Sequence, residues 1–219
     1  MPIPVEREEV QRLATQERAQ VVEVLPQPEY EWAHLSGAIH LPLKELDAER
    51  AAALLQRDRP VVVYCNDLQC DMSPRAGWRL ERLGYPRVYD YAAGKMDWLS
   101  YGLPHEGSAV LAGDQLQPEV PTCTLDDPVE LVRKRLGNGG LCVAVDDDNV
   151  VMGAVDQETL AAAPADARID DVMVFGITTV RPSEDAAALS ERMQRRNVGS
   201  VLVTSSDGRL LGLFHASHT

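Results

Sequence analysis

Cys65 stands at the end of an apolar run, residues 60–65, and a short polar loop follows it. Residues 73–84 are typical of a helix, with Ser73 as the predicted N-cap and Pro74 in the first turn. Backbone N–H groups and the helix dipole favour negative charge at the start of a helix. Because the thiolate is the reactive form of cysteine, this pattern predicts an ionised, nucleophilic Cys65 thiol.

The loop after Cys65 contains two acids and a second cysteine. We predict an active-site loop that consists of Asn66, Asp67, Leu68, Gln69, Cys70, Asp71, Met72 and Ser73. Carboxylates close to a thiolate raise its pKa and repel anionic substrates, and Arg75 is a nearby cation that could offset them. Cys70 could form a disulfide with Cys65, resolve an oxidised or persulfidated Cys65, or fill a tight turn without any chemical role.

Residue spacing argues against two other chemistries at this loop. A cysteine phosphatase needs an arginine six residues after its cysteine, and Asp71 occupies that position. A zinc site needs further ligands, and Cys123, Cys142 and the five histidines do not have ligand spacing. We therefore expect no metal site. We expect Cys142 to be a buried core thiol, and His34 and His40 to bond to the backbone.

The composition indicates an acidic protein with a substantial core. The 219 residues are 45% hydrophobic and 25% charged, with a formal net charge of -13. Nucleic acid and anionic membranes both attract basic surfaces, so neither is an expected partner. No apolar run has the length of a bilayer span, and the charged N-terminal segment resembles neither a secretory nor a transit signal. We therefore expect a cytoplasmic protein with free thiols.

Helix and strand patterns alternate over residues 1–107. Apolar strands are predicted at residues 19–25, 38–43, 60–65 and 87–92, with helical segments between them. This alternation predicts an α/β domain with right-handed crossovers and a mostly parallel sheet flanked by helices. Residues 108–119 contain Gly, Pro, Ser and Gln without a clear period, which predicts a linker.

Residues 120–219 contain an internal repeat. Each copy has a capped helix, a strand, an acidic or glycine-containing turn, and a second strand that ends in glycine and apolar residues. Gly153 and Gly212 occupy equivalent positions in the two copies. Because matching units of this kind pack against each other, the repeat predicts a second domain over residues 120–219.

Residues 1–107 resemble the rhodanese-like domain family in three ordered segments. These are PEYEWAHLSGAIHLP, VVVYC with the loop and helix after it, and VYDYAAGKMDW. The resemblance implies a sulfurtransferase in which Cys65 attacks a sulfane sulfur donor, carries a persulfide and passes the outer sulfur to an acceptor. Loop N–H groups from Asn66 to Met72 would hold the persulfide, and small molecules or proteins would act as donor and acceptor.

The loop departs from the family pattern. The usual loop is about two residues shorter, rich in glycine, and has a basic residue near its end, whereas this loop is acidic. Glu23 and Leu25 replace the Asp and Arg of the family's Asp-Val-Arg segment. We therefore do not expect thiosulfate as the donor. Two rival functions stay open: a redox sensor made of Cys65 and Cys70, and a catalytically idle rhodanese fold that serves as a binding module.

Residues 120–219 resemble a pair of CBS domains, each a βαββα repeat, with a shortened first copy. The second copy carries the match, through the segments DDVM, TTVRP, VGSVLVT and DGRLLGL. The resemblance implies a regulatory pair that binds an adenosine nucleotide or forms a homodimer. If a nucleotide binds, Asp156 is the candidate ribose contact and Arg181 a candidate phosphate contact.

Overall fold

A computed structural model describes residues 1–137 and 140–216 of the chain. They belong to two compact units, Met1–Ala109 and Val110–Thr219. The predicted combination of helices with a parallel sheet is confirmed. Residues 138 and 139, in the predicted repeat, and residues 217–219, at its end, lie outside the described residues.

The first unit alternates helices with short strands. Its helices are α1 (Arg7–Gln16), α2 (Gln27–Trp32), α3 (Ala48–Leu54), α4 (Met72–Arg82) and α5 (Gly94–Ser100). Its strands are β1 (Ile3–Pro4), β2 (Gln20–Glu23), β3 (His34–Leu35), β4 (Ile39–His40), β5 (Val61–Tyr64), β6 (Val88–Tyr91) and β7 (His105–Glu106). The sequence patterns therefore locate the main elements but miss the two-residue strands β1, β3 and β7.

Five of these strands form one sheet in the order β1-β6-β5-β2-β4, and every pairing in it is parallel. The central strand β5 is fully buried, as its continuous apolar run predicts. Parallel neighbours require crossover connections, so helices cover both faces of the sheet. Strands β3 and β7 pair separately and antiparallel.

The two faces of the sheet receive alternate residues of β5. Val61, Val63 and Cys65 pack in a core cluster with residues of α3 and α4. Val62 and Tyr64 pack in a second cluster with residues of α1 and with Trp98 of α5. This period of two places the Cys65 thiol on the α4 side and the Tyr64 ring on the opposite side.

The helix after the Cys65 loop begins earlier than the sequence predicts. Asp71 is the N-cap, and its side chain makes no capping hydrogen bond. Ser73 lies inside the first turn and is fully buried, so the prediction of Ser73 as the N-cap is wrong. The helix ends where expected, because Gly84 adopts a φ of 88° just after it.

The second unit contains two similar sheets. The first repeat comprises β8 (Thr122–Cys123), α6 (Val129–Leu136), β9 (Leu141–Val145), β10 (Val151–Asp156) and α7 (Gln157–Ala162). It is followed by α8 (Ile169–Val172), β11 (Val174–Phe175), β12 (Thr179–Val180), α9 (Ala186–Arg195), β13 (Ser200–Thr204) and β14 (Leu210–His215). The sheet orders are β11-β10-β9-β8 and β12-β13-β14. In each, a short strand lies parallel to the strand after the helix, and the next strand is antiparallel.

The core of each repeat includes residues from the segment that precedes the other repeat. Ile169 and Met173 pack in the first repeat's core, and Ala112 packs in the second repeat's core. The equivalent glycines make room for these segments. A Cβ at Gly153 would lie 2.7 Å from the carbonyl oxygen of Val174, and one at Gly212 would lie 2.6 Å from that of Gln117.

This packing differs from the linker predicted over residues 108–119. Leu111 and Ala112 are buried, and residues 112–115 form a 3₁₀ turn. Gln117 forms a bridge with Leu213 of β14. Residues 110–119 therefore belong to the second unit. Their contacts are made with the distant second repeat, which explains why the local sequence shows no period.

Candidate functional site around Cys65

Cys65 follows β5 directly and is fully buried. Its thiol lies 3.3 Å from the carbonyl oxygen of Cys70 and 3.4 Å from the hydroxyl oxygen of Ser73, and it can donate its one proton to either. The backbone N–H of Ser73, in the first turn of α4, is close enough to the sulfur to lower the pKa of the thiol. The predicted arrangement of a strand end beside a helix N-terminus is therefore present.

The predicted ionisation of Cys65 is wrong in this structure. The pKa of the thiol is raised to about 11, mainly by burial and also by the nearby Cys70 side chain, although the hydroxyl and N–H of Ser73 lower it. Loss of water around the sulfur thus outweighs the helix N-terminus. The loop carboxylates are not among the causes of the raised pKa. At neutral pH the thiol is protonated and covered.

The loop is folded on itself by Asp67. The Asp67 carboxylate accepts hydrogen bonds from the backbone N–H of Gln69 at 2.9 Å and from the side chain of Asn66 at 2.8 Å. The N–H of Cys70 donates to the backbone oxygen of Asp67 at 3.0 Å. The N–H groups of Gln69 and Cys70, which were predicted to hold a persulfide, therefore bond within the loop instead.

The remaining predicted loop residues lie toward solvent or toward the core. Leu68 is 79% exposed, and Met72 packs against the core cluster that contains Cys65. Asp71 forms an exposed ion pair with Arg75 at 3.4 Å, so Arg75 offsets one of the two loop acids. Cys70 is half-buried and, like Cys65, is a free thiol.

Asp90 is a site residue that the sequence analysis missed. It lies on β6, opposite Val63 of β5, and only 9% of it is exposed. Burial raises the pKa of Asp90, and the nearby Ser73 side chain lowers it. Its Oδ1 atom has no hydrogen-bond partner. Ser73 therefore connects the thiol of Cys65 to a buried carboxyl group, and we call these three residues the thiol relay.

The signal for Asp90 in the sequence is a single acid within an apolar strand. Asp90 lies within the strand VYDY. In a sheet covered on both faces, side chains that point to either face are buried, so an acid within such a strand is expected to be buried too. Which neighbour such an acid meets depends on the strand order. That order brings β6 beside β5, although residues 65–87 separate the two strands along the chain.

The opposite face of the sheet contains a buried ion pair. The Lys95 Nζ atom lies 2.9 Å from Glu23 Oε1, and both side chains are fully buried. Lys95 also donates to the carbonyl oxygen of Glu29 at 2.8 Å. The Tyr64 hydroxyl accepts the Leu35 N–H at 3.0 Å, and burial, together with the nearby Glu23 carboxylate, raises the pKa of Tyr64. Glu23, which stands in place of the family's Asp, thus has a cationic partner.

Two histidines have the structural roles that the sequence predicts. The Nδ1 atom of His34 lies 2.7 Å from the Tyr30 carbonyl oxygen, and the ring stacks on the Tyr30 ring at 3.7 Å. The Nε2 atom of His40 lies 3.0 Å from the Leu25 carbonyl oxygen. Both therefore bond to the backbone and neither contacts Cys65.

In the second unit, both residues that were predicted to contact a nucleotide, Asp156 and Arg181, form hydrogen bonds with nearby residues. Asp156 is the N-cap of α7 and accepts the Thr159 N–H at 2.8 Å, which lowers its pKa. Arg181 donates to the hydroxyl group of Thr204 and lies 3.4 Å from that of Thr179. Asp156 and Arg181 thus bond within different repeats. Cys142 is 3% exposed and packs in the core of the first repeat, as predicted.

Two features are absent from the part of the chain that the structure describes. Across residues 1–137 and 140–216, no helix is both long and apolar enough to cross a membrane. Over the same residues, no three His, Cys, Asp or Glu side chains cluster where they could hold a metal ion.

Two family models match parts of the chain. Residues 6–101 match the model of the rhodanese-like domain, and residues 169–218 match the model of the CBS domain. The chain is 40% identical over 95 residues to the HTH-type transcriptional regulator Rv0324 of Mycobacterium tuberculosis, covering 43% of this chain and 41% of that protein. It is 27% identical over 88 residues to YrkF of Bacillus subtilis, named as a candidate sulfur carrier protein, covering 40% of this chain and 45% of YrkF.

The chain therefore spans less than half the length of these two curated relatives. Among solved structures, it is similar to the CBS domains of a transcriptional regulator from Streptococcus pneumoniae. That match has a TM-score of 0.43 and 22% identity, and it covers 50% of this chain and 95% of that one. On the family matches, this chain contains a rhodanese-like domain over residues 6–101, followed by a CBS domain over residues 169–218.

Proposed function

We propose that the first unit transfers sulfur through a persulfide on Cys65, and that the folded loop keeps this thiol inactive until the loop opens. One observation carries the proposal: within a rhodanese-like domain, Cys65 directly follows the central strand, and its sulfur lies 3.4 Å from the Ser73 hydroxyl, beside a Ser73 N–H that lowers the pKa of the thiol. These donors would stabilise an anionic sulfur once water reaches it. Because the pKa of Cys65 is raised while the loop is closed, the loop has to open before the thiol can ionise at neutral pH.

The proposed reaction has two balanced steps. In the open state the Cys65 proton passes through the Ser73 hydroxyl to Asp90, and the thiolate attacks the terminal sulfur of a donor R–S–SH. The sulfur–sulfur bond of the donor breaks, R–S⁻ leaves and takes up a proton, and Cys65–S–SH remains. An acceptor thiolate then attacks the outer sulfur, and Cys65 leaves. The protein ends each cycle unchanged, and no external oxidant is needed.

The donor we propose is a persulfide of a small thiol or of a protein. Thiosulfate is a dianion, and Asp67 and Asp71 lie on the loop that it would have to approach. Arg75 already pairs with Asp71 and so offers less charge to a free anion. A thiol persulfide carries less charge and meets less repulsion.

Mass spectrometry of the intact protein tests this function. Cys70→Ser protein incubated with glutathione persulfide should gain about 32 Da, located on the peptide that contains Cys65. A later addition of a thiol acceptor should remove it. The control is Cys65→Ser protein, which should gain nothing on that peptide. A Cys65 that stays unmodified even after mild urea has loosened the loop would contradict the proposal.

A second candidate function is a redox-sensing thiol pair. The Cys65 sulfur lies 3.3 Å from the carbonyl oxygen of Cys70, so the two thiols belong to one closed loop and could be joined within it. Hydrogen peroxide would oxidise the two thiols to a disulfide and be reduced to two water molecules. The mark would be a loss of about 2 Da that a reductant reverses. If Cys65 reacts in neither test, the rhodanese fold is a binding module.

For the second unit we propose self-association through the CBS region, with an adenosine nucleotide as a regulatory ligand. The observation that favours association is the edge strand β11, where Val174 is 58% exposed and Phe175 61% exposed. Sedimentation velocity should find a dimer that Phe175→Asp converts to a monomer. Thermal shifts with AMP, ATP and S-adenosylmethionine test the ligand, because a ligand that binds the folded state raises the melting temperature.

A further inference from the structure

A groove of about 990 Å³ runs beside α4 in the first unit. Apolar side chains line its floor, among them Leu43, Met72 and Leu83. These three residues also pack against the core cluster that contains Cys65. An occupant of the groove would therefore contact side chains that pack against the same core cluster as Cys65, although Cys65 itself does not line the groove. We call this feature the α4 groove.

The α4 groove is basic although the chain is acidic. Arg75, Arg79 and Arg82 are spaced four and three residues apart, so they lie on one face of the helix, and Lys44 also lines the groove. Its single acid, Glu45, is already paired with Arg50 at 2.6 Å. Within the described residues, Arg79, Arg82 and Lys44 form no ion pair. Four cations thus face solvent on a chain with a net charge of -13.

The shape of the groove favours an extended segment over a small anion. The three arginines are exposed, and an exposed guanidinium gains little from one small ion. They follow one another at about 6 Å and about 4.5 Å along the helix axis. Every second side chain of an extended chain points the same way, at a repeat of about 7 Å, so alternate acidic residues could meet successive arginines. Trp78, 49% exposed in the same groove, belongs to a residue type that is enriched among the energetic hot spots of protein interfaces.

We propose that the α4 groove docks an extended acidic segment of the protein that exchanges sulfur with Cys65. The identity of this partner as a sulfur donor or acceptor rests on the proposed function, whereas the docking of an acidic segment rests on the groove alone. The basic rim steers the partner to the side of the unit where the loop must open, and the apolar floor holds it there.

Fluorescence anisotropy with a labelled synthetic peptide, in which Glu alternates with Leu, tests the docking. The peptide should bind the full chain at low ionic strength, and added salt should weaken the binding. Arg79→Glu should weaken it by about tenfold or more. Arg18→Glu is the matched control, because Arg18 is exposed in the same unit, outside the groove, and its replacement changes the net charge equally. That control should change the affinity less than about twofold.

Three outcomes would overturn the proposal: no binding at low ionic strength, equal affinity for Arg79→Glu and native protein, or equal loss in Arg18→Glu. Displacement of the peptide by inorganic phosphate at a similar concentration would also overturn it, in favour of a small-anion site. Cys65→Ser protein separates this inference from the proposed function, because it should bind the peptide as the native protein does. Conversely, Arg79→Glu should still accept sulfur from glutathione persulfide.

Discussion

The two faces of the parallel sheet in the first unit each bury a group of polar side chains, and the groups differ in their charge balance. On one face, Glu23 Oε1 lies 2.9 Å from Lys95, which also donates to a backbone oxygen, while Glu23 Oε2, like Asp90 Oδ1 on the other face, has no hydrogen-bond partner among the described residues. On the other face, Asp90 has a hydroxyl partner, Ser73, but no cation, and its Oδ1 atom is unpaired.

This difference separates a structural role from a chemical one. A buried ion pair with extra hydrogen bonds tolerates its loss of water, and it links β2 to the start of α5. A buried carboxyl group without a cation costs stability, and such groups are concentrated where a protein moves protons. We infer that the Glu23–Lys95 pair supports the fold and that the thiol relay serves the chemistry of Cys65.

The largest expected effect is on the face of the sheet that contains the Glu23–Lys95 pair. Lys95→Met leaves the Glu23 carboxylate buried without its cation, which should lower the free energy of unfolding by about 3–5 kcal/mol. All three tryptophans of the chain lie in the first unit, so urea unfolding followed by tryptophan fluorescence reports on that unit. The matched control is Lys44→Met at an exposed lysine, with a change within about 0.5 kcal/mol.

The double variant Glu23→Gln with Lys95→Met sharpens this prediction. It removes both charges, so it should recover a large part of the lost stability. If the single and double variants are equally unstable, the loss comes from the packing of the lysine side chain and not from an unpaired charge.

The next effect is the pH dependence of Cys65 alkylation. Because the pKa of Cys65 is about 11, the thiolate fraction should rise about tenfold with each pH unit between about pH 7 and pH 10. Iodoacetamide labelling of Cys70→Ser protein, resolved by peptide mass spectrometry, measures the rate at Cys65. A rate that levels off below about pH 8 would mean that the thiol ionises readily near neutral pH. That result would contradict the chemical role that we assign to the thiol relay.

A smaller effect is expected from Asp90→Asn. Burial raises the pKa of Asp90 above its usual 3.8, so the folded protein binds its proton more tightly than the unfolded chain does. The stability from protonated Asp90 is fully present below the unfolded pKa and is lost as pH rises through the folded pKa. The introduced amide cannot ionise, so the variant should be more stable than native protein at neutral pH, by about 1 kcal/mol.

At about pH 4 the native protein and the Asp90→Asn variant should be equally stable. The same urea experiment, repeated at both pH values, gives this comparison. Alkylation of Cys65 in the variant should also slow at neutral pH, since the relay has lost its proton acceptor. A stability difference that does not change with pH would contradict the assignment of Asp90 as a buried ionising group.

The smallest expected effect concerns the loop. Asp67→Ala removes two hydrogen bonds that fold the loop over Cys65, which should raise the alkylation rate of Cys65 about threefold or more. Asp58→Ala, at an exposed acid of the same unit, is the control and should leave the rate unchanged. An Asp67→Ala rate equal to the native rate would mean that other contacts hold the loop closed.

Short-range sequence patterns predict much of the site around Cys65. The apolar run before Cys65, the polar loop and the amphipathic helix after it predicted a strand, a loop and a helix in the right places. Ser73 was recognised as important but assigned as a cap, because a serine before an apolar helix usually has that role. Its contact with Asp90 depends on β6 lying beside β5, which no local window contains.

In the repeat of the second unit, too, some features follow from the sequence and others only from the tertiary structure. Gly153 and Gly212 were recognised as equivalent from their spacing alone, whereas the reason for glycine is the segment from elsewhere that crosses each of them. Residues 110–119 looked like a linker because they lack a period of their own. They are ordered by contacts with the second repeat, and Leu111 and Ala112 are buried there.

By itself, the amino-acid sequence determined the order of the main elements, the two domain families and the position of Cys65 at a strand end, because these follow from short-range periodicity and from motifs of neighbouring residues. Only the tertiary structure decided that this thiol is covered and protonated, and that it reaches Asp90 through Ser73. The physical reason is that desolvation is a property of a group's surroundings. Those surroundings are assembled from strands and helices far apart in the chain.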